Sequence, residues 1–344
     1  MRLRKQMSQI GLVLGGLLCA QPLTVALHAQ AQEDPPTLAP SATLAGTATL
    51  TLTPTPTWSP PVYTTHGPRD PVLPTVSDTA REIYQRGLAQ GNNPNAFSKI
   101  GDCNSASAFF LAAFDNPRSY RLGAEYAPLQ PTIDQFAGSW SRDSLAAHNG
   151  FGTSAMFSPL KADRRQCQPG EGPLACELRL HKPSFAIISL GTNGAWQTDD
   201  EFEDGLRLVI EATIDAGTVP ILSTKADDLE GGGRFNFIIA RLAAEYDIPL
   251  WNFWLAASAL PSFGLQETYH LRISPAHFDD PTTLRAGWGV RNLTALQALD
   301  NVLRGVTAPA DVDTAMTALP SATPIGPTAT PRPPAIRHRP HAGK

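Results

Sequence analysis

"SFAIISLGT", residues 184–192, is the stretch on which the fold turns. Its near-continuous apolar run, closed by Gly191, has the composition of a strand covered on both faces, as in a parallel sheet. Outward from it the patterns alternate. "DEFEDGLRLVIEATIDAG" (200–217) reads as a helix, with acidic residues in its first turn and Gly217 at its end. "TVPILST" (218–224) follows as a strand, "GRFNFIIARLAAEYD" (233–247) as a helix and "IPLWNFW" (248–254) as a strand. "NLTALQALDNVLRG" (292–305) closes the series as a helix. On the N-terminal side, Ser77 is placed to cap the amphipathic helix "DTAREIYQRGLAQG" (78–91). "AFSKIGD" (96–102) is the first strand, "SASAFFLAAF" (105–114) a helix after it, and "QPTIDQFAGSW" (130–140) another short helix. This rhythm predicts an α/β domain over 77–305, a parallel sheet with helices on both faces. Sites in such sheets form beyond the C-terminal ends of the strands.

The flanks have a different composition. Residues 1–31 carry Arg2, Arg4 and Lys5, then an apolar segment, then small residues, the order of an export signal. Gly15, Gly16, Gln21 and Pro22 interrupt that segment and disfavour an uncleaved spanning helix, the one route by which the chain would meet a membrane. A lipoprotein site at Cys19 has Leu18 where a small residue is expected. Residues 32–76 and 306–344 are rich in Thr, Pro, Ala and Ser, too poor in large apolar groups to offset ordering entropy, and read as disordered spacers. The reading therefore points to a secreted or surface-tethered, monomeric protein. The net charge of −4 offers no basic face for nucleic acid.

Removing residues 1–31 leaves three cysteines. Outside the reducing cytoplasm Cys167 and Cys176, which bracket the Pro/Gly-rich "QPGEGPLA", form the natural pair, and Cys103 is left as a free thiol. Three strand-end positions can carry chemistry: Gly101-Asp102-Cys103, Gly191-Thr192-Asn193-Gly194, and "GLQETYHL" (264–271), where Glu267 precedes His270 by three residues. A nucleophile needs a base, the base an orienting acceptor, and the oxyanion a set of donors.

These blocks, with the loop "HNGFGTS" (148–154), resemble in type and order the SGNH hydrolases, the GDSL esterase/lipase family. The resemblance spans about residues 96–305. It implies a flavodoxin-like three-layer α/β/α sandwich and hydrolysis of ester or thioester bonds through an acyl-enzyme, without a metal or other cofactor. Substrates would be small-molecule, polysaccharide or lipid esters. By position Cys103 would be the nucleophile, His270 the base and Glu267 its carboxylate partner. The Cys103 N–H, a glycine N–H (Gly150, with Gly152 the alternative) and the Asn193 amide would bind the oxyanion. Three residues depart from the family pattern: cysteine for serine at 103, glutamate for aspartate at 267, and glycine for aspartate at 194. The cysteine leaves a second reading open, an inactive binding module that keeps the fold. Ser105 is the alternative nucleophile.

Other residues take plainer readings. His277, Asp279 and Asp280 read as a solvated loop without a standard metal spacing, and His181 as structural. "LEGGGRFN" (229–236) lacks the Lys-Ser/Thr ending of a phosphate loop and reads as a flexible connection. Trp196, Trp251, Trp254 and Trp288 read mainly as core or rim packing.

Overall fold

The computed structural model describes residues 67–308; the export segment, most of the N-terminal spacer and the C-terminal tail lie outside the described residues. Among the described residues six strands run β1 (Asn93–Gly101), β2 (Tyr120–Arg121), β3 (Pro183–Ser189), β4 (Val219–Ser223), β5 (Leu250–Trp251) and β6 (Ala276–His277). Nine α-helices accompany them: α1 (Asp78–Ala89), α2 (Cys103–Ala106), α3 (Gly123–Tyr126), α4 (Gln130–Gln135), α5 (Pro173–His181), α6 (Asp199–Asp215), α7 (Arg234–Glu245), α8 (Phe253–Ser258) and α9 (Gly287–Thr307). None is long and apolar enough to cross a membrane.

The main sheet is parallel, in the order β1-β3-β4-β5. On the free side of β1 a single parallel bridge joins Gly101 to Ala147, so the second strand of a flavodoxin-like order is reduced to one bridge. The C-terminal end of β1 therefore lies where the sheet reverses direction, the position that favours a site in open α/β sheets.

Strand alternation sorts the two outer layers. Phe97 and Phe185, partners across β1 and β3, face Phe136 and Tyr84 on the side of α1 and α4. Ser98, the next residue, points the other way and donates to the buried Glu177 of α5. Helices α5, α6 and α7 form that second layer, with Phe202 of α6 stacked on Phe235 of α7. The long α9 packs on α1 and α4, completing the α/β/α sandwich.

Capping residues set most helix starts. Ser77 accepts from Ala80 N–H, and Thr198 with Glu201 forms a reciprocal capping box at α6. Four sequence expectations change. "SASAFFLAAF" is not one helix. Ser107 is extended and its hydroxyl accepts from Phe109 N–H, while Asn292 accepts from Leu111 N–H; these side chains replace helical partners. "IPLWNFW" is a strand only to Trp251, because the Asn252 side chain caps α8. Helix α5 is additional, starting at Pro173 inside what reads as a loop. Last, residues 67–76, assigned by composition to the spacer, pack on the domain: Asn252 donates to the carbonyls of Pro68, Asp70 and Val72.

Cys167 and Cys176 are disulfide-bonded, with Cα atoms 5.2 Å apart, and Cys103 is free.

Candidate active site

β1 ends at a residue that has to be glycine. Gly101 adopts φ +158°, and a Cβ there would come within 2.2 Å of the Ser189 carbonyl oxygen and 2.3 Å of Ser105 Oγ. The chain then turns at once into α2. Asp102 is its N-cap, buried, accepting from Asn104 N–H at 3.0 Å. Cys103 follows, half-buried at the strand end. Ser105 lies in the same turn but is buried, with its hydroxyl 3.4 Å from the Ser189 carbonyl, so it is turned into the sheet and not toward solvent.

Two loops converge on this turn. The first leaves the Gly101–Ala147 bridge: His148 N–H donates to the Gly101 carbonyl, and Arg142, Ser98 and Leu145 are gathered on the Glu177 carboxylate behind it. Gly150 occupies an exposed turn at φ +83° with open space around it. Gly152, partly buried, is the glycine that neighbours Asn193, whose carbonyl lies 3.9 Å from where a Gly152 Cβ would sit. The geometry thus favours Gly152 over Gly150, the glycine preferred by sequence. Asn193 itself sits in the short turn Thr192–Gly194 after β3, and its Nδ2 is buried without a hydrogen-bond partner among the described residues. A buried, unpaired amide donor is costly unless something occupies it.

The second loop carries His270. An antiparallel bridge between Leu265 and Leu271 closes it, and Gln266 N–H donates to the His270 carbonyl at 2.8 Å. His270 Nδ1 is hydrogen-bonded to Glu267 Oε1, and Tyr269 leans on the imidazole with ring centroids 4.2 Å apart. Both members of the pair are about half exposed. Desolvation works the other way, but the hydrogen bond from His270 holds the Glu267 carboxyl below the usual range. A hydrogen bond joins the loop to the turn that carries Cys103: Asn104 Nδ2 donates to the Tyr269 carbonyl at 3.5 Å.

Behind the turn lies a set of charges with no counterpart in the sequence reading. Lys225 Nζ donates to Asp227 Oδ1 at 2.8 Å and to Glu230, all buried, and Thr192 Oγ1 donates to Asp227 Oδ2 at 2.8 Å. "LEGGGRFN" is therefore not a loose connection: Glu230 is buried on Lys225, and Asp228 accepts from Gly233 N–H. The available signal was polar Lys225 and Asp227 directly after an apolar strand. Arg291 of α9 is likewise buried.

This environment opposes ionisation. Burial pushes the Asp102 carboxyl up to about 6, despite the Asn104 N–H it accepts. Burial, with the Asp102 charge adding to it, pushes the Cys103 thiol up to about 11. Cys103 at rest is a thiol.

Elsewhere, Ala276–His277 is a strand, β6, and not the expected solvated loop; it pairs with β2, and Asp279 binds Arg121. Trp251, Trp254 and Trp288 are buried, whereas Trp196, three residues after Asn193, is 81% exposed.

No protein-family model matches the sequence, and no curated protein matches it. Solved structures similar to it include the acetyl xylan esterase AlAXEase (13% identity over 59% of this chain and 97% of that one, TM-score 0.36). The psychrotrophic esterase EstA from Pseudoalteromonas sp. aligns at 16% identity over 60% of this chain and 100% of that one, TM-score 0.37. Axe2, an acetylxylan esterase from Geobacillus stearothermophilus, aligns at 14% identity over 60% and 95%, TM-score 0.39. At these scores the overlays bear no functional weight, and the chemistry rests on the residues above.

Proposed function

We propose that the chain is an extracytoplasmic hydrolase of ester or thioester bonds, with Cys103 as nucleophile and His270 as base. The observation that carries the reading is the contact between Asn104, the residue after Cys103, and the carbonyl of Tyr269, the residue before His270, whose imidazole is hydrogen-bonded to Glu267. The motif blocks shared with the SGNH family support it, as does the buried unpaired amide of Asn193. The Cys167–Cys176 disulfide and the N-terminal export signature support action outside the cytoplasm.

In this reading Glu267 on Nδ1 fixes the tautomer that leaves Nε2 as proton acceptor. Cys103 Sγ bonds to the acyl carbon as its proton passes to Nε2, and the carbonyl π electrons move onto oxygen, met by the Asn193 amide and backbone N–H groups. The intermediate collapses, the C–O bond (C–S in a thioester) breaks, and the leaving group takes the proton from Nε2. Water then attacks the acyl-cysteine with Nε2 again as base, releasing acid and thiol.

One observation favours a second reading, a binding module without turnover: the thiol is pushed up to about 11. Hydrolysis of short-chain p-nitrophenyl esters and thioesters separates the two. The hydrolase reading expects activity that Cys103→Ala and His270→Ala both abolish. A silent native chain that gains activity as Cys103→Ser would establish the binding reading and overturn the first.

A further inference from the structure

The charges around Cys103 do not balance in an obvious way, and Arg291 is the reason to look closer. Helix α9 delivers this residue into the interior, where its guanidinium lies 4.6 Å from the ring centre of Phe110, 5.0 Å from Phe253 and 5.2 Å from Trp251. Its Nη2 donates to the neutral hydroxyl of Ser189 at 3.0 Å, and its buried Nε has no hydrogen-bond partner among the described residues. Ser189 ends β3; its carbonyl accepts from Asp102 N–H at 3.4 Å. Arg291, Ser189, Thr192, Asp227 and Tyr269 border one small cleft together with Asn104, the residue after Cys103.

The other charged or titratable groups around the turn are Asp102 before α2, Lys225, Asp227 and Glu230 after β4, His270 with Glu267 on its loop, and His148 beyond Gly101. Lys225 is spent on two carboxylates in direct contact. Arg291 is held by aromatic faces and a neutral hydroxyl, so its charge is left to act at longer range. A buried cation is expensive and is retained where a nearby anion needs it.

We propose that Arg291 is a positioning residue of the turn that carries Cys103: its buried charge, held through Ser189 against Asp102, the residue before Cys103, offsets Asp102 and Asp227 and favours the thiolate over what those two carboxylates alone would allow. The inference rests on Cys103 being the working nucleophile, but its readout does not require turnover. Burial lowers the guanidinium to about 10, with Asp102, Cys103 and Asp227 working to raise it, so it stays charged at neutral pH.

The test is the rate of Cys103 alkylation by iodoacetamide from pH 7 to 9, where Arg291 keeps its charge, followed by mass spectrometry at the peptide carrying Cys103 in the intact native chain. Below the thiol pKa this rate is proportional to the thiolate fraction, and loss of a nearby opposite charge moves that fraction by about tenfold. Arg291→Gln is expected to slow alkylation about tenfold with the pH profile displaced upward. Arg291→Lys, which keeps the charge but withdraws it from Ser189, falls between. Asp102→Asn, which retains a capping oxygen, speeds it. Native rates and profile in both Arg291 variants, or in Arg291→Lys where Arg291→Gln fails to fold by circular dichroism, overturn the proposal. Ester turnover measured separately on the native chain decides the hydrolase reading, so each can fail without the other.

Discussion

Asp102 caps α2 and is buried beside Asp227, a placement that helps the turn and penalises the ion. Its pKa is raised in the folded state to about 6, above the ordinary aspartate value, so the fold binds its proton more tightly than the unfolded chain does. The stability this contributes is present in full below about pH 4 and is lost as pH rises through about 6. Asp102→Asn, which keeps a capping oxygen without the charge, should therefore gain on the native chain by up to about 3 kcal/mol at pH 8, and by much less at pH 4. Thermal unfolding of both at the two pH values checks the sign. At Asn193, the buried amide makes no bond that truncation would break, so Asn193→Ala should leave the melting temperature nearly unchanged. The same substitution should lower kcat for ester hydrolysis by about a hundredfold, the effect of losing one oxyanion donor. The proposed site residues Cys103, Asn193, Glu267 and His270 sit in short motifs that the sequence displays. Lys225, Asp227, Glu230 and Arg291 were not, because their meaning lies in contacts between β4, the loop after it and α9, which no local spacing records.

Among elements, those whose apolar period and caps agree were legible: α1, α6, α7, β3 and β4. The misreadings share a cause. Periodicity reports which residues are buried but not which side chains take over the backbone hydrogen bonds. Asn292 claims the Leu111 N–H and breaks the helix after α2; Asn252 claims the Leu255 N–H and ends β5 early. Helix α5 was hidden by the Pro and Gly around it, although Pro173 at its first turn is a helix start once the strand after it is placed. That helix is anchored at Cys176 to Cys167, and its Glu177 gathers Ser98, Arg142 and Leu145 behind the loop of Gly152. Replacing both cysteines by alanine should destabilise the domain by about 2–3 kcal/mol in chemical denaturation, the scale of a short closed loop. Reducing agent should reproduce the loss in the native chain and have no such effect on the double variant.

At the scale of the whole molecule, the alternating strand and helix patterns gave the parallel sheet with helices on both faces, but composition drew the N-terminal border of the domain too late. A shift in composition marks where apolar residues become frequent, and 67–76 attach largely through backbone carbonyls, which composition does not register. A fragment of residues 67–308 keeps this border intact. One beginning at residue 77 should lose about 3 kcal/mol, since Asn252 forfeits three partners and Val72, Leu73 and Val76 no longer pack on the core. The reduced second strand and the turn at Gly101 put Cys103 at the reversal point of the sheet, and the chain's function depends on whether that thiol takes up an acyl group. The direct measurement is intact-mass and peptide mass spectrometry of the chain quenched in acid after brief exposure to p-nitrophenyl acetate, alongside Cys103→Ala and His270→Ala. We predict one acetyl group per chain on the peptide carrying Cys103, absent in Cys103→Ala and slow to form in His270→Ala. Equal labelling of all three proteins, or none of the native chain, would contradict the account.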